Sequence, residues 1–245
     1  MEQETLAAQT IETVGTDPRY DESVKRLLAN KSILAVILKE CVPEFKHCTT
    51  REIAEQYIEG EPQIGEVGIA PDETNRSGEV IHGLNTEDAT VTEGSIRYDI
   101  RFYASAPGED GLIGLIINLE AQNRFNPGYL LLKRAIYYCS RMISAQYGTE
   151  FAKSEYGNIK KVYSIWICSN PPKNRRNTIT QYPIREEQIV GEAKEEVKNY
   201  DLMSAVMICL GEETDRNYSG LLKFLEVLLS DEKTAAAKKT ILQNE

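Results

Sequence analysis

No apolar run in this chain approaches the roughly 18 residues that a membrane-spanning helix needs. The amino-terminal stretch MEQETLAAQT is acidic and polar, so it does not read as a signal peptide. The cytoplasm is the expected compartment. Histidine is scarce: His47 and His82 stand far apart and outside any H-E-x-x-H spacing. Zincin, Ser-His-Asp and histidine-metal nuclease chemistries therefore lack parts. The five cysteines (Cys41, Cys48, Cys139, Cys168 and Cys209) are odd in number and never form a C-x-x-C pair. Neither a disulfide framework nor a zinc ribbon is expected, and Cys168 inside YSIWIC reads as a core thiol. Internal repeats and low-complexity blocks are also missing, as is any recognisable helix-turn-helix, zinc finger or other base-reading module.

What is present suits one substantial core. The chain has 245 residues, 41% hydrophobic and 27% charged. Its net charge of -10 argues at first against a nucleic-acid partner, but the charge is unevenly placed. Residues 1–95 hold 8 basic and 19 acidic side chains, 96–185 hold 13 and 6, and 186–245 hold 7 and 13. A positive centre between acidic ends suits an anionic partner for the centre. The plainer reading is a basic coat on a helix and loops.

Residues 1–17 are polar and without period, a loose arm. From 17 to 42 apolar residues recur at helical spacing (Val24, Leu27, Leu28, Leu34, Ala35, Ile37, Leu38), starting at Asp17-Pro18 and stopping at Pro43. A shorter helix follows in TTREIAEQYIEG, with Thr49-x-x-Glu52 as a capping box and Gly60 as its stop. A Gly-, Pro- and Asn-rich stretch holds one strand candidate, EVIHGL. Then IRYDIRFYA and GLIINLEAQ alternate on either side of the turn cluster APGEDG. In the first, Ile96, Tyr98, Ile100, Phe102 and Ala104 share one face, and Arg97, Asp99, Arg101 and Tyr103 the other. A helix over about 128–147, a doubly covered strand KKVYSIWICS, a basic loop NPPKNRRN and a strand TITQYPI come next. A mixed segment, DLMSAVMICLG, and a helix, YSGLLKFLEVLLS, end the pattern. This order predicts a mixed α/β (α+β) fold.

Asp99, Glu120 and Gln122 fall on the polar faces of the paired strands. Cross-strand neighbours lie roughly 4.5–8 Å apart. Two carboxylates that close repel unless something positive stands between them. Mg²⁺ (or Mn²⁺) takes oxygen ligands and commonly uses one or two carboxylates plus substrate phosphate. Such an ion could polarise a phosphodiester. A polar group at Gln122, two residues along the same face, could orient water. A hairpin whose wet face carries unrelated acids is the competing account.

The residues Asp99…Glu120-Ala121-Gln122 resemble the PD-(D/E)XK nuclease fold. More narrowly, they resemble its recombination-promoting nuclease and transposase branch, where Glu-x-Gln replaces acid-x-Lys. The segments YDESVKRLLANKSILAVILKECVPEF, EQYIEGEPQIGEV, NTEDATVTEGSIRYDIRFYA, INLEAQNRFNPGYLLLKRAIYYCSRMISAQYGTEF and IKKVYSIWICSNPP look like that branch in order, over about residues 18–228. The resemblance implies a restriction-endonuclease-like core, α-β-β-β-α-β, with Asp99 and Glu120 as metal ligands. It makes the Ala121 carbonyl a third ligand and puts Gln122 in the water-orienting position. Tyr98 stands where the pattern has proline. Gln122 cannot carry lysine's charge, so water activation would lean on the metal.

The branch also carries R-x-x-x-Y on the next helix, matched by Arg134 and Tyr138, with Arg141 one further turn along. Arginine there could hold a phosphate, or these residues form an exposed amphipathic face. Asp21 and Lys25 match a D-x-x-x-K spacing on the first helix and either reach the cleft or form a surface i,i+4 pair. Lys160, Lys161, Lys173, Arg175 and Arg176 make a basic patch suited to phosphate contacts with weak sequence preference. The expected organisation is an arm over 1–17, a nuclease-like domain over 18–215 and a helical extension over 216–245. Relatives continue beyond that extension, so this copy reads as truncated. The implied function is metal-dependent DNA endonuclease activity linked to transposition or recombination, compatible with a homo-oligomer. The alternative is a degenerate nuclease fold that binds DNA or protein without cutting.

Overall fold

Asn30 divides the first helical pattern in two. The computed structural model describes residues 20–65, 87–90, 94–108, 111–230, 233 and 238. Within them, α1 (Tyr20–Leu28) stops before Asn30, whose extended backbone and side-chain oxygen cap α2 (Lys31–Cys41) by accepting from Ser32 N–H at 3.0 Å. Asparagine is a poor helix interior and a good N-cap, so a continuous helix was the wrong expectation. Pro43 ends α2 as expected and opens a single 3₁₀ turn, Pro43–Phe45. The capping box at Thr49 forms: Glu52 N–H donates to Thr49 Oγ1 at 3.2 Å and Thr49 N–H to Glu52 Oε2 at 2.7 Å. The helix it starts, α3 (Thr50–Glu52), widens at once into a π turn, Ile53–Tyr57. Gly60, at φ 56°, turns the chain away.

The strands are β1 (Gln63–Ile64), β2 (Glu87–Thr90), β3 (Gly94–Arg97), β4 (Ile100–Gly108), β5 (Gly111–Arg124), β6 (Lys161–Asn170), β7 (Thr178–Pro183) and β8 (Met203–Cys209). Six of them form one mixed sheet in the order β1-β4-β5-β6-β8-β7, while β2 and β3 pair separately. The centre, β5-β6-β8, is parallel; the flanking pairs are antiparallel. α4 (Leu131–Ser144) makes the crossover between β5 and β6 and runs shorter than the expected 128–147. The short α5 (Val197–Tyr200) precedes β8, and α6 (Gly220–Leu229) follows it. The mixed segment of the sequence is thus a central strand. β8 is buried at six of its seven positions, which erases the alternation that marks a half-wet strand. Asp17 and the strand candidate EVIHGL lie outside the described residues.

Alternation along the strands separates two cores. One face carries Ile100, Phe102, Leu115, Ile117, Leu119, Tyr163, Ile165 and Ile208 against α1, α2 and α6. The other carries Ile116, Val162, Trp166, Ala205 and Met207 against α4. Leu221, Leu222, Leu225 and Leu228 of α6 belong to the first core, together with α2.

The expected strand IRYDIRFYA is broken. β3 and β4 are separated by Tyr98 and Asp99, and the register shifts faces there. Tyr98 joins the α4 core, while Ile100 and Phe102 join the opposite one. The expectation that Tyr98 and Ile100 share a face therefore fails. A bend consumes the alternation, and it leaves Asp99 just before Ile100, the first paired residue of β4, rather than within a strand.

Candidate active site

Pairing fixes the geometry at the bend. Ile100 stands opposite Leu119 in the β4–β5 ladder, so Asp99 falls beside Glu120. Each side chain accepts from a backbone N–H on the opposite side of the pairing. Asp99 N–H donates to Glu120 Oε1 at 3.0 Å, and Ala121 N–H donates to Asp99 Oδ2 at 3.2 Å. Asn118 Nδ2 donates to the same Glu120 Oε1 at 2.9 Å. Glu120 is 4% exposed, on the face of β5 that looks toward α4. Burial first, and then the neighbouring Asp99 charge, push its carboxyl well above the usual carboxylate range.

Two cations meet this pair from opposite sides. Lys25 Nζ on α1 lies 2.9 Å from Asp99 Oδ1, and Lys25 is buried. Lys25 therefore reaches the Asp99–Glu120 pair; the side chain of Asp21, its partner in the i,i+4 reading, lies outside the described residues. Arg134 on α4 donates from Nε to Tyr138 Oη at 2.9 Å and also bonds the Tyr129 hydroxyl. Its guanidinium lies 5.2, 5.0 and 5.5 Å from the ring centres of Tyr129, Tyr138 and Trp166. This aromatic cage fixes a cation near Glu120 at little entropic cost. Gln122 follows on the same face of β5, half-buried, its side-chain amide without a hydrogen bond among the described residues.

The donor chemistry suits a hard divalent cation. Asp99, Glu120 and a main-chain carbonyl at Ala121 would supply the one or two carboxylates and added oxygen that Mg²⁺ or Mn²⁺ uses beside substrate phosphate. Asn118 is fully buried, and its Oδ1 is without a hydrogen-bond partner among the described residues, a further oxygen at the site. Among the described residues no three His, Cys, Asp or Glu side chains cluster, so any such ion would share its shell with water or substrate.

The expected basic interface divides. Lys173 and Arg175 are exposed on a turn after β6, and Arg175 stacks 4.8 Å over Phe125, the residue following β5. They stand at the strand ends nearest Glu120. Arg176 instead pairs with Glu212 and, at 3.5 Å, with Asp215. Lys160 pairs with Glu150 at 2.6 Å and sits over Tyr103. Lys161 is held by Glu44 at 2.9 Å and Asp201 at 2.6 Å. In the parallel ladder Lys161 aligns with Leu115, five residues from Glu120 and so about 17 Å down the strand at ~3.3 Å per residue. Arg141, expected on the same accessible stripe as Arg134, is 3% exposed and bonds Tyr137. Its position on α4 is therefore buried rather than part of an accessible stripe.

Asn118, Tyr129, Trp166 and the buried Arg101, which aligns with Asn118, complete the surroundings. A polar Asn118 two residues before Glu120, inside an apolar run, was the sequence signal for the first of these. The chain matches no protein-family model, no curated protein and no solved structure. Among the described residues no helix is long and apolar enough to cross a membrane.

Proposed function

We propose that the chain is a divalent-metal-dependent endonuclease acting on DNA phosphodiesters. The observation that carries this reading is the Asp99–Glu120 pair, half-buried at Asp99 and buried at Glu120, tied to both strands by backbone bonds and faced by Lys25 and Arg134. With α3, β2 and β3 left aside, the order α2-β1-β4-β5-α4-β6 is compatible with the α-β-β-β-α-β core that the resemblance implies. A bound Mg²⁺ or Mn²⁺ would polarise the phosphoryl oxygens and lower the pKa of a water.

The chain's own residues have separate tasks in this reading. Asp99 and Glu120 hold the cation. Arg134, pre-aimed by its tyrosines, receives phosphate charge. Lys25 neutralises Asp99 when no metal is bound and stands in the cleft as the lysine that position 122 lacks. Gln122 orients water through its amide, which has donors and an acceptor but no ionisable proton for general-base work. Lys173 and Arg175 take flanking phosphates, a contact without base readout. Association with transposition or recombination follows from the resemblance alone.

Incubating purified chain with supercoiled plasmid and Mg²⁺ or Mn²⁺ tests the reading. Nicking that stops on chelation is expected. Retention of plasmid without nicking in either metal instead favours the degenerate, binding-only fold.

Two predictions arise at this point. Gln122→Ala lowers the nicking rate roughly ten- to a thousandfold, the scale of a lost positioned donor, while Gln122→Lys is tolerated or faster. An alanine variant that cuts as well as wild type removes Gln122 from the mechanism. Lys173→Ala with Arg175→Ala weakens DNA binding and lowers the slope of log affinity against log salt by roughly 1–2. The same change at Lys160 and Lys161, both in ion pairs, leaves that slope alone.

A further inference from the structure

Between β7 and α5 the chain leaves the sheet, and every residue from 184 to 199 is exposed. At the outer end Ile189 is 89% and Val190 94% exposed, more than any other large hydrophobic side chain among the described residues. This tip is built. Gln188 spans it like a strand partner, accepting from Ala193 N–H at 3.0 Å through Oε1 and donating through Nε2 to Ala193 O. Gly191, at φ 78°, permits the reversal. Holding two aliphatic side chains in water on a braced turn has a hydration cost that the fold of a single copy does not recover.

The residues around the tip narrow what can cover it. Across 184–199, Glu186, Glu187, Glu192, Glu195 and Glu196 outnumber Arg185, Lys194 and Lys198. An anionic lipid surface and nucleic acid are both repelled by that balance. A complementary surface exists on the chain itself. The outer face of α4 shows Lys133, Ile136 and Tyr137 at i, i+3 and i+4, with Leu130 one turn before, all exposed. Of the three basic residues of α4, only Lys133 lies on that face; Arg134 is held in its aromatic cage and Arg141 is buried. Apolar stripe and Lys133 on one element match apolar tip and glutamates on the other.

We propose that the 188–193 tip docks on the outer face of α4 of a second copy of this chain. Each copy owns both surfaces, so a two-fold dimer closes with two equivalent tip–helix contacts and leaves none open. The inference is independent of the nuclease reading, because Ile189, Val190, Lys133 and Ile136 take no part in the site.

Sedimentation velocity of the full chain at tens of micromolar, run for wild type, I189D/V190D and K133E/I136D, tests it. All substituted positions are exposed, and circular dichroism verifies that each variant is folded. The wild type is expected as a dimer, and each double variant should raise the dissociation constant more than about tenfold, the effect of losing a central apolar contact. A wild type that sediments as a monomer, or a dimer that either double variant leaves intact, overturns the proposal.

Discussion

Asp99→Asn and Glu120→Ala each reduce metal-dependent nicking by more than about a thousandfold, since each removes an anionic oxygen donor from the same ion. Asparagine is the sharper choice at 99. Its side-chain oxygen still accepts from Ala121 N–H, so the bend before β4 keeps its tie to β5. Alanine at that position would lose this tie as well as the charge that Lys25 Nζ meets, whereas asparagine loses only the latter. If Asp99→Asn unfolds at the same denaturant concentration as wild type and still cuts, Asp99 is not a ligand.

Glu120→Gln stabilises the metal-free chain, by an amount that depends on pH. Burial and then the Asp99 charge disfavour the charged form and push the folded Glu120 carboxyl up from its ordinary value of 4.5 to about 8. Between those values the folded chain retains a proton that the unfolded chain has released. The residue's favourable contribution is therefore complete below about pH 4.5 and is lost as pH rises toward 8. Glutamine has no proton to lose. Both existing bonds to Glu120 end on Oε1, which a glutamine oxygen can replace. Urea unfolding in chelator should show the variant about level with wild type at pH 5. At pH 8 the variant should be more stable by on the order of 2–4 kcal/mol. An equal difference at both pH values would mean that the carboxylate is not buried in its charged form at the cost supposed.

Which residues of the candidate site come together was largely legible in the sequence, and the reason is local. Asp99 and Glu120 are placed by one hairpin whose alternation and turn lie within 25 residues of sequence. Arg134 and Tyr138 are one helical turn apart on α4, so their contact follows from spacing. Lys25 was harder, because its contact with Asp99 joins α1 to a strand far away in sequence. An i,i+4 acid on the same helix offered a nearer partner. The ion pairs of Lys161 and Arg176 failed to show for the same reason: Glu44, Asp201 and Glu212 approach only through the assembled sheet. β8 escaped because burial on both faces leaves no period to read. The break at Tyr98–Asp99 interrupted a pattern that looked continuous, yet that break is what presents Asp99 to both Lys25 and Glu120.

A calorimetric titration of Mn²⁺ into the chelator-stripped chain without DNA, run side by side for wild type and Asp99→Asn, bears most directly on the central claim. If Asp99 and Glu120 hold a divalent cation, wild type binds one ion and the variant's affinity falls at least about tenfold, as when a charged ligand is removed. Equal affinity in the two proteins, or no binding by wild type at millimolar Mn²⁺, would contradict it.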